Sequence, residues 1–392
     1  MRLHTSVGDG SYGDEMRFIA TADWQLGMTA SYLTAEARPR FAQARLDVIR
    51  AIGELAAERA VDFVLVCGDV FESNQLDRQV VLRAFDALRA VAVPVYLLPG
   101  NHDPLDSASI YTSATFRDRC PDHVHVLAEP GPVTVLPGVE VVAAPWSTKA
   151  PLCDLVARAC ADLGPSDDVI RIVAGHGVVD TLNPDRDSLA AISVAALQAQ
   201  VDAGRIHMCV LGDRHSTTQV TERIWYAGAP EVTDRDETDP GNVLVVDIDT
   251  AQPAARVAVE RVHVGRWEFE VAARELGSVE DVDALVGWLD GHSGKDRTAI
   301  WLKLSGTLSV RDKARLDAAL EEQAEIFGSV LIWERHYDLS VVPDDCDFGD
   351  LGLTGFADDA VRELVQMAGC EPGGAEAQDA LGLLYRLTEA SR

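Results

Sequence analysis

Basic residues are scarce in this chain. Only 34 lysines and arginines stand against 63 aspartates and glutamates, a formal net charge of −29 over 392 residues. A bare duplex-binding module is usually basic, so the balance argues against a simple DNA-binding domain. It leaves room for an enzyme whose bound cations make its site locally positive. Long apolar runs are also missing. None reaches the roughly 18 residues needed to cross a bilayer, so no membrane association is expected. The first 15 residues, MRLHTSVGDGSYGDE, contain no apolar stretch of the signal-peptide kind and read as a loose extension before Met16. C-x-x-C pairs are absent, and the seven cysteines are an odd number. That fits reduced structural thiols in a cytoplasmic protein and argues against zinc–thiolate chemistry.

What is present is an alternation of strand and helix over the first ~260 residues. Short apolar strands are expected at 18–21, 62–67, 95–98, 139–144, 170–174, 207–211 and 243–248. Between them, 39–60 and 77–91 carry apolar residues at helical spacing. Strands apolar on both faces and separated by helices imply a layered α/β domain over 16–264, with much of its sheet covered. Near Gly265 the pattern changes. Strands at 266–271, 299–304 and 330–337, with helices at 279–290 and 311–325, make a small α+β domain over 265–338. The rest, 339–392, is an acidic linker with two short C-terminal helices at 357–368 and 376–389. From 341 onward 11 acids face 3 bases.

Five expected strands end on polar groups of one kind. The first ends at Asp23, with Gln25 two residues on. The second ends in CGD, giving Asp69. The third ends in PGNHD, giving Asn101, His102 and Asp103. Later strands end in AGHG, giving His176, and in LGDRHS, giving Asp213 and His215. Glycine precedes the key residue in four of the five, where it permits a tight turn. Ligands of open α/β sheets bind outside the carboxyl ends of the strands, so these groups converge on one rim. Carboxylates, imidazoles and amides gathered there are what a dinuclear metal site needs. Two divalent ions sharing one carboxylate clamp a phosphate and acidify a water for in-line displacement.

The ordered series resembles the calcineurin-like metallophosphoesterases, and in particular their SbcD-type DNA repair nucleases. TADWQLG (21–27), GDVFES (68–73), PGNHD (99–103), HVHVLAEP (123–130) and WYAGAPE (225–231) carry the likeness. It implies a layered metallophosphoesterase sandwich over 16–264, with 265–338 as a cap domain. One ion would be held by Asp23, Gln25, Asp69 and His215, the other by Asp69, Asn101, His176 and Asp213, with Asp69 bridging. His102 would act on the transition state or leaving oxygen, and Asp103 would orient it from behind. The resemblance further implies DNA as substrate, an SbcC-type ATPase as partner, and a homodimer through helices near 77–91 and 107–118.

Two positions depart from the family pattern: Gln25 and Asp213 stand where it has histidines. Oxygen donors there favour manganese or magnesium over zinc, and the added anionic charge implies a slower enzyme or a higher pH optimum. Each departure has a plainer alternative. Gln25 either ligates, faces solvent or makes a hydrogen bond behind the ligands; Asp213 either ligates or caps a turn. Arg186 and Arg214 either hold phosphates or sit on the surface. The Arg311–Lys313–Arg315 cluster either meets a nucleic-acid backbone or forms a solvated helix face. At the level of function, two other readings stand beside the nuclease: a small-molecule or phosphoprotein phosphoesterase, and a scaffold subunit with a degenerate metal site.

Overall fold

The computed structural model describes residues 15–166, 169–183, 185, 188–251, 255–342, 355–368 and scattered positions between 374 and 384. The chain divides into two compact units: residues up to Ala30 with Pro39–Trp267, and Ser31–Arg38 with Glu268 onward. Among the described residues no helix is long and apolar enough to cross a membrane.

The first unit runs β1 (Glu15–Thr21), α1 (Ala37–Glu58), β2 (Phe63–Cys67), α2 (Arg78–Leu88), β3 (Val95–Leu98), α3 (Ala114–Arg119), β4 (Val124–Val126), β5 (Gly131–Leu136) and β6 (Val139–Ala143). It continues with α4 (Leu155–Cys160), β7 (Ile170–His176), α5 (Val194–Asp202), β8 (Met208–Gly212), β9 (Thr218–Gln219), β10 (Ile224–Tyr226), β11 (Asn242–Asp249) and β12 (Arg256–His263). Two six-stranded sheets result, in the orders β12-β11-β1-β2-β3-β4 and β5-β6-β7-β8-β10-β9. The strand pairs β1–β2, β2–β3 and β7–β8 are parallel, so their carboxyl ends point one way within each sheet.

Side-chain alternation builds the layers. Phe18 and Ala20 of β1, and Phe63, Leu65 and Cys67 of β2, share one core with Ile172 and Ala174 of β7 and Met208 and Val210 of β8. That core lies between the sheets. The intervening Ile19, Val64 and Val66 join a second core with Ile49, Ile52, Phe85 and Leu88 of α1 and α2. Val173, Cys209 and Leu211 join a third with Val156 of α4 and Leu197 of α5. Successive strand residues face opposite sides, so strands apolar on both faces need a layer on each. Each of the Val, Leu, Ile, Met and Phe side chains among them contributes about 1.5–3 kcal/mol when fully buried.

The second unit contains β13 (Glu268–Leu276), α6 (Val279–Asp290), β14 (Thr298–Ser309), α7 (Val310–Ile326), β15 (Ser329–Ile332), β16 (Asp338–Val342) and α8 (Phe356–Ala368). β14 is the spine. β13 pairs with it in parallel, as do β15 and then β16 at successive stretches. Ser278 and Ser309 cap α6 and α7, each accepting from a backbone amide three residues on. Ser31–Arg38 joins this unit through Thr34 N to Gly328 O at 3.1 Å, Ser329 Oγ to Tyr32 O at 2.8 Å, and the Tyr32 ring against Phe269 and Trp301.

Several expectations need correction. The strand expected over 330–337 is broken: β15 stops at Ile332, a single 3-10 turn spans Glu334–His336, and β16 follows. The helix near 107–118 is a 3-10 turn at Ile110–Thr112 and then α3. β1 begins at Glu15, one residue ahead of Met16, because Glu15 still pairs with Asp249. Much of the helix expected over 376–389, like the extension before Glu15, lies outside the described residues.

Candidate metal centre

The polar strand ends of the two sheets meet. Asp23 and Gln25 follow β1, Asp69 follows β2, and Asn101 and His102 follow β3. From the other sheet, His176 closes β7, and Asp213 and His215 follow β8. The approach is close enough to require glycine. A Cβ on Gly68 would lie 2.1 Å from His176 Nδ1, and one on Gly212 would lie 2.0 Å from Cys67 O.

Backbone strain gathers at the same place. Among the described residues, five non-glycines have positive φ: Asp23, Gln25, Ala60, Asp69 and Asp213. Four of them are expected ligands. Left-handed backbone is costly for L-residues, so its concentration here marks a site held in place by its surroundings.

Asp23, Asp69 and His176 are all buried, with ligand atoms within 4.8 Å of one another. His176 Nδ1 lies 2.9 Å from Cys67 O, which accepts a hydrogen bond from it and leaves Nε2 facing inward. Around Nε2 stand Asp69 Oδ1 at 3.4 Å, Asp213 Oδ1 at 3.7 Å and the Asn101 amide at 2.6 Å. The same Asn101 atom lies 3.2 Å from both Asp69 oxygens. With its nitrogen there, the Asn101 amide donates to both Asp69 oxygens and to His176 Nε2; with its oxygen there, it adds one more acceptor to the cluster, the orientation a ligand to a cation would take. Asp69 sits between two groups. Its Oδ2 accepts from Gln25 Nε2 at 3.1 Å and its Oδ1 from His102 N at 2.9 Å. The Gln25 amide is buried, which removes the solvent-facing reading, and its Oε1 is buried with no hydrogen-bond partner. An orphaned amide oxygen beside a carboxylate cluster is a fit for a cation. Asp213 N donates to both Asp23 oxygens, at 3.0 and 3.1 Å.

Electrostatics say the same. Burial pushes the Asp23 carboxyl up to about 7, against the pull of His215 and His176. Burial also opposes ionisation of Asp69, yet His176 and the His102 amide hold it below its usual range. Burial alone would lower both histidines. The neighbouring carboxylates win instead, raising His176 well above its ordinary value and His215 to about 9. Protons thus take the place that divalent cations would fill.

His102 differs from the ligands. Its side chain is 41% exposed, its Nδ1 lies 3.0 Å from Glu72 O, and its Nε2 is 3.9 Å from Asp69 Oδ2. The expectation that Asp103 orients it is overturned. Asp103 Oδ1 accepts from Gly100 N at 2.7 Å, and Oδ2 from Phe71 N at 3.0 Å and Tyr111 OH at 2.6 Å. Asp103 therefore staples the PGNHD turn to the GDVF turn, and the Glu72 carbonyl fixes His102. Burial raises Asp103 to about 6, with the Asp69 charge adding to it. Arg214 is exposed, with Nε on Thr218 Oγ1 at 2.9 Å. Arg186 lies outside the described residues.

Three supporting residues escaped sequence reading. Thr233 and Glu237 contact His215 Nδ1, Glu237 at 3.1 Å. Buried Arg45 donates to Trp24 O at 3.0 Å and Val232 O at 2.8 Å, tying the Asp23–Gln25 loop to the Thr233 loop. Arg45 recurs in a helical pattern that reads as solvent-facing, so only the fold reveals it. Glu237 sits in a turn-rich acidic run, where nothing separates it from its neighbours.

Residues 16–199 match the family model described as calcineurin-like phosphoesterase. That segment contains Asp23, Gln25, Asp69, Asn101 and His176; Asp213 and His215 follow it. The match, the layered sheets and the clustered ligands support the calcineurin-like metallophosphoesterase family, and with it a metal-dependent hydrolase acting on phosphoester bonds. No curated protein matches the chain. Among solved structures, the chain is similar to a dimetal phosphatase from Danio rerio, at 12% identity and a TM-score of 0.43, covering 64% of this chain and 96% of that one. It is also similar to TT1561 of Thermus thermophilus, at 11% identity and 0.38, covering 64% and 99%. A third is the purple acid phosphatase PPD1 from seeds of yellow lupin, Lupinus luteus, at 12% identity and 0.37, covering 64% and 52%. At those scores none of them bears on the substrate.

Proposed function

We propose that this hydrolase cleaves phosphodiester bonds in DNA, as an SbcD-type nuclease, with two divalent ions. The observation that carries the reading is that the resemblance extends past the ligands. The SbcD-like stretch WYAGAPE leads directly into the loop whose Thr233 and Glu237 hold His215. One ion would take Asp23, Gln25, Asp69 and His215, the other Asp69, Asn101, His176 and Asp213. When bound, the ions supply positive charge to the phosphoryl oxygens and an acidified water as nucleophile. Three carboxylates, two amides and two imidazoles, with no thiolate, favour manganese or magnesium over zinc.

The chain's own residues do the rest. His102 offers its Nε2, 3.9 Å from Asp69 Oδ2, to the phosphoryl group or leaving oxygen, its ring fixed by Nδ1–H donating to Glu72 O. Asp69 stays ionised between the two ligand groups, and Asp213 N holds the Asp23 carboxylate in place. DNA is acidic and so is the chain. An SbcC-type ATPase partner would supply basic surface in trans, and a homodimer would form through α2 and α3.

The test is hydrolysis of linear and hairpin DNA, alongside a chromogenic phosphomonoester, in manganese, magnesium and zinc. Manganese-dependent DNA cleavage is expected. Monoester hydrolysis alone would replace the nuclease by a small-molecule phosphatase. Absence of bound metal would leave the scaffold reading.

A further inference from the structure

The two metal-facing histidines are supported differently. His176 leans on a neutral backbone carbonyl, Cys67 O, at 2.9 Å. His215 leans on a carboxylate. Glu237 Oε1 lies 3.1 Å from His215 Nδ1, and its side chain is only 6% exposed. Glu237 is itself fixed. It accepts from Thr233 N at 3.2 and 3.1 Å, from Asp234 N at 3.0 Å, and from the Thr233 hydroxyl. A hydroxyl that donates to Glu237 keeps its lone pairs for His215 Nδ1, which it also touches. Both neighbours of Nδ1 are therefore acceptors. Nδ1 carries the proton, and Nε2 is the atom left for an ion. A carboxylate behind an imidazole also makes that imidazole a stronger donor.

Apart from these supports the two ligand groups are alike, each with two carboxylates, one amide and one imidazole, so what stands behind the imidazole is what distinguishes them. We propose that Glu237 is a positioning residue of the metal centre: acting with Thr233 through His215, it raises the affinity of the ion that His215 and Gln25 would share. This rests on the two-ion reading above.

The experiment is calorimetric titration of the chelator-treated full chain with manganese, with stoichiometry from elemental analysis. The native chain, Glu237→Gln, Glu237→Ala, Gln25→Ala and Asn101→Ala are compared. Glu237→Gln keeps the size and an acceptor oxygen, so it separates loss of charge from loosening of the loop. The expected result is that both Glu237 variants weaken one ion by roughly 10–100-fold, Ala more than Gln. It should be the ion that Gln25→Ala also weakens and that Asn101→Ala spares. Two ions bound by the Glu237 variants with native affinities would overturn the proposal while leaving the two-ion reading intact. Weakening confined to the ion that depends on Asn101 would overturn it as well. A native chain that binds no manganese would sink the two-ion reading, and the proposal with it.

Discussion

Among the described residues, the buried acids of this chain all belong to its first unit. In the first unit Asp23, Asp69 and Asp103 are buried at the ends of apolar strands and accept from backbone amides, a tyrosine hydroxyl and the Gln25 side chain, with His176 beside Asp69. In the second unit the acids stay toward solvent and find bases: Asp283 with Arg315, Asp290 with Lys295, Asp317 with Lys313. Backbone strain divides the same way. Every positive-φ non-glycine among the described residues is in the first unit, while in the second only Gly294, Gly306 and Gly355 have positive φ. Taking several carboxylates out of water in one place costs several kcal/mol each, and neutral hydrogen-bond donors offset only part of it. Protons or bound cations can offset the rest. The exposed acids of the second unit carry no such cost.

The largest effect should come from the residue at the centre of that contrast. Asp69 receives Gln25 on one oxygen and the His102 amide on the other, and it faces His176. Asp69→Ala should lose both ions and bring phosphoester hydrolysis to background. Elemental analysis is the check; two ions retained would mean that Asp69 does not bridge. Next is His102, half-buried and held by a carbonyl instead of by the acid cluster. His102→Ala should keep both ions and lose turnover by roughly 10²–10⁴-fold, as for a general acid. Loss of metal along with turnover would make it a ligand.

The third effect is on stability, and pH sets its sign. Asp23 stands at about 7, Asp103 at about 6 and His215 at about 9, all above their ordinary values of 3.8, 3.8 and 6.5. The native state thus binds these protons more tightly than the unfolded state does. Their stabilisation is complete below the ordinary value and is lost as pH rises through the native one. Metal-free protein should therefore lose several degrees of melting temperature between about pH 4 and pH 9. Asp69, held low, works the other way, losing its contribution only at the acid end. Manganese should flatten the profile. A metal-free profile that rises across that range would contradict the buried-acid account.

Legibility in the sequence follows the same division. The strands that build the layers are continuous apolar runs, and their polar last residues stand out against them, so the ligand series can be read directly. What could not be read is whatever depends on contacts distant in sequence. Asp103 looks like the partner of its neighbour His102, but its oxygens are taken by Phe71 and Tyr111. Arg45 supports the ligand loops through two carbonyls, and backbone carbonyls leave no trace in a sequence. β12, RVAVERVH, has no apolar run longer than three residues. Ser31–Arg38 joins the second unit although its sequence neighbours belong to the first.

The smallest effect belongs to the second unit. Its helix α7 carries Arg311, Lys313 and Arg315, a spacing that invites comparison with a phosphate-binding stripe. Lys313 Nζ lies 2.8 Å from Asp317, and Arg315 pairs with Asp283 while both side chains are more than half exposed. Exposed pairs are worth about 0–1 kcal/mol, so Arg315→Ala should change unfolding free energy by less than ~0.5 kcal/mol. The same variant tests the stripe. A side chain that neutralises a phosphate contributes about one to the slope of log affinity against log salt. If Arg315 is occupied by Asp283, the slope for DNA should not move. A slope that falls by about one would show that DNA displaces Asp283, and would give this unit a contact with substrate after all.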